Sequence, residues 1–215
     1  MDRLLFRFRS YNPDGLSDRE ILELLLRFIR EDAGEITARL LERYPTIALL
    51  MEADAASLST IEGMDDKSIL LLRLLPEMSR RYFTSRNVKG KPLLDGTQYG
   101  RFLLPYFMGA RDEMVYVLFL DGAANVIHCR LMGHGSVNSA NVPIRKIVQE
   151  ALAVNASGIV LAHNHPCGLA IPSGEDIDIT RRLRDSLQIL DVQLLDHIVV
   201  ADDDFVSIRE SGYLR

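Results

Sequence analysis

Two histidines one residue apart, His163 and His165, stand at the exit of the short apolar run Ser157–His163 (SGIVLAH). In extended chain, residues i and i+2 point to the same side with Cα atoms roughly 6.5–7 Å apart. Two imidazoles so placed can converge on one cation at about 2.0–2.1 Å each. Asp176, in the first turn of the helical pattern that follows, is the natural third ligand and a hard one. Two His and one carboxylate would leave a zinc ion with a net charge of about +1 and a fourth position open to water. Such a charge lowers the pKa of bound water toward neutrality and supplies hydroxide for attack on a carbonyl. An H-x-H pair alone also arises often by chance. Ser173-Gly174-Glu175-Asp176 reads equally well as a helix N-terminal capping box. The two readings are compatible, because a capping Ser can present its hydroxyl toward a site. An Asp in the first helical turn gains from the helix dipole with or without a metal.

The distribution of ligand-type residues confines any such chemistry to the second half of the chain. Residues 1–127 hold no His and no Cys, whereas His128, His134, His163, His165, His197, Cys129 and Cys167 all lie beyond them. The 215 residues are 47% apolar and 26% charged, with a formal charge of −5, which is a globular rather than a disordered balance. That length suits one large domain or two small ones. The longest apolar run, Met114–Leu120, is far short of a membrane span. No secretory leader is expected, and two cysteines cannot build a disulfide framework, so a reducing cytoplasmic setting without a membrane partner is the simplest expectation.

These residues need elements to position them. Residues 1–83 read as all-helical. Ser17-Asp18-Arg19-Glu20 is a second capping box, followed by Ile21, Leu24, Leu25, Phe28 and Ile29 at helical spacing. Helices are predicted over Ile36–Tyr44, Ile47–Met51 and Asp66–Tyr82, the last kinked or broken at Pro76. Residues 84–97, polar and carrying Gly90, Pro92 and Gly96, form a candidate linker. A short helix is expected around Gln98–Met108. From Glu113 the pattern turns to mixed α/β. Strands are predicted at Met114–Leu120 and Asn125–Met132 around the Asp121-Gly122 turn, then at Ser157–His163, Val192–Val200 and Phe205–Ile208. Helices are predicted at Ile144–Val154 and Ser173–Leu190.

The full string resembles a known signature. H-x-H, seven residues, Ser, two residues, Asp is matched by His163, His165, Ser173 and Asp176 without a spacing error, as in JAMM (MPN-type) metalloprotease domains. HNHPCG, IPSGEDIDIT and LLDHIVV are similar to the bacterial RadC-like branch, over roughly residues 100–215 and more weakly over residues 16–82. The resemblance implies an α/β domain at 98–215, its mixed sheet flanked by helices, behind a small helix–hairpin–helix-like domain at 1–83. It implies one zinc per chain on His163, His165 and Asp176, and hydrolysis of a peptide or isopeptide bond in a protein or peptide substrate. Ser173 would hydrogen-bond the developing oxyanion. Glu113, in EMVYVLFLD, would match the family's upstream glutamate and move a proton from water to the leaving amine. Read without the resemblance, Glu113 is a solvated residue at a strand start beside Arg111 and Asp112.

Three departures from the family pattern stand out. Cys167 replaces the usual Ser after HNHP; its readings are a resting-state zinc ligand, an oxidation target, or a small residue in a turn. Val142–Lys146 (VPIRK) replaces a His-Pro-Arg-Glu-type string and keeps Arg145. Ile61-Glu62-Gly63-Met64-Asp65 occupies the place of a glycine-rich hairpin turn. The last bears on the rival reading, a nucleic-acid-binding repair accessory whose zinc-stabilised domain does not turn over. Asp65 and Asp66 would repel phosphate, and residues 1–88 carry 13 basic and 15 acidic residues, so no domain-wide positive field is available. Arg80, Arg81, Arg86, Lys89 and Lys91 form a local basic stretch, explained more simply as a solvated helix end and linker. His128 and His134 lack ligand spacing and read as structural or surface residues. Asp196-His197 is either a buried polar pair or a partner of a zinc ligand, the structural role being favoured.

Overall fold

Reciprocal capping at Ser17 starts a helix where its sequence predicts one. The Ser17 side chain accepts from the Glu20 backbone, and the Glu20 side chain accepts from the Ser17 backbone. The structure, a computed structural model, describes residues 3–10, 15–86, 92–135, 142–166 and 168–214. It divides into two compact units, Met1–Ser79 and Arg80–Arg215. No described helix is long and apolar enough to cross a membrane.

The first unit holds α1 (Arg3–Ser10), α2 (Asp18–Leu26), α3 (Ala33–Arg43), α4 (Ile47–Glu52), α5 (Ala55–Ser59) and most of α6 (Asp66–Arg86). Leu22, Leu26, Ile36, Leu40, Leu50, Leu58 and Leu72 form its core. Helix α5 is too short for periodicity to reveal it; its signal is the Asp54 cap, which accepts from Ser57 N. Of the kink or break expected at Pro76, the break does not occur, because α6 runs through it. Proline removes one i→i−4 bond, and the Leu74, Leu75, Glu77 and Met78 around it are good helix formers that carry the helix on. Between α5 and α6 the chain turns at Gly63, whose φ of +87° suits glycine and whose missing Cβ would lie 2.7 Å from Ile36 Cδ1.

The second unit is a mixed α/β layer structure. After α7 (Gly96–Leu103) and a 3₁₀ turn (Leu104–Phe107) come β1 (Met114–Leu120), β2 (Val126–His134), α8 (Ile144–Ala153), β3 (Gly158–Asn164), α9 (Gly174–Gln188), β4 (Gln193–Ala201) and β5 (Asp204–Ser207). The sheet order is β2-β1-β3-β4-β5. All its pairings are antiparallel except β3 with β4, which the α9 crossover joins in parallel. Each predicted strand falls within a residue or two of its observed range.

Strand alternation sorts the apolar residues to two faces. Val115, Val117, Phe119, Ile159 and Leu161 pack with Ile147 of α8 and with Leu183 and Leu187 of α9. Tyr116, Leu118, Leu120, Val160 and Ala162 pack with Tyr99, Phe102 and Leu103 of α7. The column Ile159–Leu161 on the α9 face continues into His163. Every residue of β3 is buried, so the polar end of this strand sits at the margin of a packed core rather than on an exposed turn.

Candidate metal centre

His163 ends the apolar column of β3 and pairs in register with Val115 of β1 and Val199 of β4. His165 follows one step beyond, held by its backbone N–H on the Val200 carbonyl at 2.8 Å. Ser173 caps α9, and Asp176 is the residue that completes the reciprocal cap. The three side chains meet as their spacing predicts. His163 Nε2 lies 2.9 Å from His165 Nε2 and 3.0 Å from Asp176 Oδ1, and His165 Nε2 lies 3.6 Å from Asp176 Oδ2. This is the sole such cluster of His, Cys, Asp or Glu among the described residues. The His165 side chain is 22% exposed and that of Asp176 14%, against 8% for His163, so the group opens to solvent on the His165 side.

The donor set fits a small divalent cation. Four donors placed tetrahedrally at 2.0–2.1 Å from zinc lie about 3.3 Å from one another, close to the 2.9 and 3.0 Å by which His163 Nε2 stands from His165 Nε2 and Asp176 Oδ1. His165 Nδ1 lies 3.1 Å from the Leu169 carbonyl, which can only accept, so the proton sits on Nδ1 and Nε2 is a bare lone pair. The carboxylate is divided between two tasks. Asp176 Oδ2 accepts from Ser173 N at 2.7 Å and from the Ser173 hydroxyl at 2.6 Å, which leaves Oδ1 turned to His163. Burial alone would raise the Asp176 pKa; the contacts with His163 and Ser173 outweigh it and hold the group far below the usual carboxylate range. One proton can bridge only two of these three acceptors, whereas a cation at their centre satisfies all of them.

Glu113 stands immediately before β1, two residues ahead of Val115, and is partly buried. Its carbonyl accepts from Gly135 N at 3.0 Å, at the far end of β2. The residue that determines its position is Asn164, which lies between the two histidines. Asn164 Oδ1 accepts from Met114 N at 2.7 Å, and Nδ2 donates to the Asp112 carbonyl at 3.2 Å. This side chain imitates a strand partner and clamps the backbone on both sides of Glu113. It is 4% exposed. Alternation in β3 carries the signal, because a polar residue flanked by two candidate ligands must point to the opposite face.

Two further side chains complete the surroundings. His197 Nε2 lies 2.8 Å from His163 Nδ1, and His197 Nδ1 lies 2.6 Å from Thr180 Oγ1. His197 therefore has both of the contacts weighed for it, a buried pairing with Asp196 through its backbone N–H and a ring contact with the candidate ligand His163. Burial, with His163 second, pushes its pKa well below the usual imidazole value. Thr180 sits four residues after Asp176, one helical turn along the same face of α9, which is the legible part of its role. Val115, Val142, Leu161 and Ile179 join His163, Asp176 and His197 around a small cavity of about 10 Å³. Asp196 faces the opposite side of β4 and serves structure, accepting from His197 N, Ser207 Oγ and Arg209 N.

The remaining histidines take no part. His128 Nε2 is 3.3 Å from Glu150 Oε1, and His134, the last residue of β2 rather than part of the following loop, is 3.8 Å from Asp112 Oδ2. Arg145 is exposed in the first turn of α8. Cys167, Lys89 and Lys91 lie outside the described residues.

The model of the RadC-like JAB domain matches residues 95–213. A UPF0758 protein of Vibrio atlanticus is 34% identical over 207 residues, covering 95% of this chain and 92% of its own. Another, from Thioalkalivibrio sulfidiphilus, is 37% identical over the same length and coverage. A third, from Halorhodospira halophila, is 35% identical over 210 residues, 97% of this chain and 94% of its own. The chain belongs to the RadC family, with a RadC-like JAB domain as its C-terminal part.

Proposed function

We propose that the second unit is a zinc-dependent hydrolase of peptide or isopeptide bonds. The observation that carries this reading is the convergence of His163 Nε2, His165 Nε2 and the Asp176 carboxylate at the end of the central strand β3, beside the strand that Glu113 precedes. One zinc ion held there would supply a Lewis acid that polarises a carbonyl and lowers the pKa of water. The residues of the chain do the rest. Glu113, held by the Asn164 clamp, takes a proton on its carboxylate from the attacking water and delivers it to the leaving amine. The Ser173 hydroxyl, which donates to Asp176 Oδ2 in the resting arrangement, turns its proton to the developing oxyanion. The apolar walls at Val115, Val142 and Ile179 limit water around the reacting carbonyl.

The test has two arms. Purified protein should hold about one zinc per chain on the three-ligand logic, and His163→Ala should abolish it. Glu113→Gln should keep the zinc and lose hydrolysis by roughly 100-fold or more, and it then serves as a trap for the substrate in a native protein extract. Metal-free wild-type protein, or a Glu113→Gln variant of full activity, would sink the assignment.

A further inference from the structure

The contacts behind His163 form a directed relay, and its direction follows from counting protons. Thr180 Oγ1 lies 2.5 Å from the backbone carbonyl of Asp176, which has no proton to give. The single hydroxyl proton of Thr180 is therefore committed to that carbonyl. Thr180 Oγ1, 2.6 Å from His197 Nδ1, must then accept there, so His197 carries its proton on Nδ1. A neutral imidazole has one N–H, which leaves His197 Nε2 as an acceptor. The atom 2.8 Å from it, His163 Nδ1, must donate. His163 is thereby set as the Nδ1–H tautomer, with a bare lone pair on Nε2 directed at His165 and Asp176.

We infer that His197 and Thr180 are positioning residues that lock His163 as a metal donor, and that they tie it to the helix carrying the third ligand. The relay begins at the backbone of Asp176 and ends on the ring of His163, so a shift of α9 disturbs two ligands together. Nothing in it requires bulk alone. His197 is 1% exposed and Thr180 1%, and a buried imidazole would be replaced at lower cost by an apolar side chain if packing were its task. Partners of this kind raise the basicity of a ligating histidine and fix its orientation, and their loss costs about 10- to 100-fold in metal affinity.

This inference rests on the metal reading above, and the experiment separates the two. Zinc affinity of the full chain is measured by chelator competition for wild type, His197→Phe, His197→Gln and Thr180→Val, with melting temperatures of the metal-free forms. Long-range ¹H–¹⁵N spectra of the zinc-loaded wild type report the tautomers directly. Phe should weaken zinc by about 10- to 100-fold without lowering the metal-free melting temperature. Gln, whose carbonyl oxygen can accept from His163 Nδ1–H, should recover most of the affinity, and Thr180→Val should fall between. The spectra should place the protons of His163, His165 and His197 on Nδ1. A proton on Nε2 of His197, or equal affinity in Phe, Gln and wild type, overturns the relay while leaving the zinc site standing. A wild type that holds no zinc overturns both. If the Phe variant does not fold, the Gln and Val variants and the wild-type spectrum decide.

Discussion

Two helices in this protein begin with the same local grammar and end in different roles. At α6, Asp65 precedes the helix and accepts from Ser68 N at 2.8 Å. At α9, Ser173 and Asp176 bond each other across the first turn. Each carboxylate sits at a helix N-terminus, where the dipole favours it. Around Asp65 the neighbours close the turn: Arg30 donates to the Gly63 carbonyl at 2.8 Å and to Ser68 Oγ at 3.0 Å, and Arg39 donates to the Glu62 carbonyl at 2.7 Å. Arg30 itself is held by Asp32 at 2.7 Å. The guanidinium groups that could have met an incoming phosphate are engaged by the fold itself. Around Asp176 one oxygen is taken by the cap and lies 3.6 Å from His165 Nε2, and the other meets His163 Nε2 at 3.0 Å, both imidazoles being delivered by the end of β3. A cap becomes a candidate ligand when the end of a preceding strand brings an acceptor, not a donor, to its free oxygen.

The largest effect should come from exchanging the free oxygen's charge while keeping the cap. Asp176→Asn retains a side-chain oxygen for Ser173 N, so the helix start should survive. Its neutral amide is a poor zinc ligand, and affinity should fall at least about 100-fold, beyond the range typical of outer partners. Chelator competition measures this. Near wild-type affinity would show that the two helix starts differ in nothing that matters to a metal.

A second variant sharpens the contrast at the strand end. Asn164→Leu keeps the volume of a buried side chain but leaves Met114 N and the Asp112 carbonyl without their partner. Stability should drop by about 1–3 kcal/mol, as expected for buried backbone groups left unsatisfied. Zinc affinity should change little, since Asn164 touches neither donor atom, whereas hydrolysis should fall with the position of Glu113. An unchanged turnover number would remove the clamp from the catalytic account and leave it a purely structural bond.

What was legible in the sequence follows the same division between local and nonlocal physics. Short uninterrupted apolar runs placed β1 and β3, and motif spacing singled out His163, His165 and Asp176, because each pattern is carried by residues close in the chain. Helix α5 escaped because five residues hold too little periodicity, and the persistence of α6 through Pro76 escaped because one broken bond says little about the bonds on either side. His197 was seen, with a ligand's partner as only one of its two readings. Its contact with His163 depends on the parallel register of β3 and β4, which pairs Leu161 with His197 and Val199 with His163, and no spacing within either strand encodes that offset. Asn164 was hidden by its neighbours, since a residue between two ligands is easily read as a spacer.

The smallest effect belongs to the cap that has no site. The hydrogen bonds from Ser68, with Arg30 and Lys67 behind them, lower the Asp65 pKa from its ordinary 3.8. A carboxylate whose folded pKa is depressed contributes stability above its unfolded value, and that contribution disappears as pH falls through the folded one. Asn is itself a good N-cap, so Asp65→Asn removes the charge and keeps the bond. At neutral pH the variant should melt lower by about 1–3 °C, a small shift because solvent screens a half-exposed carboxylate. As the pH drops below 3.8 the two melting curves should draw together, since both proteins then present a neutral group there. Zinc content should be identical throughout. A difference that persisted in acid would mean that Asp65 acts through shape rather than charge, and the two helix starts would then differ in kind and not only in their neighbours.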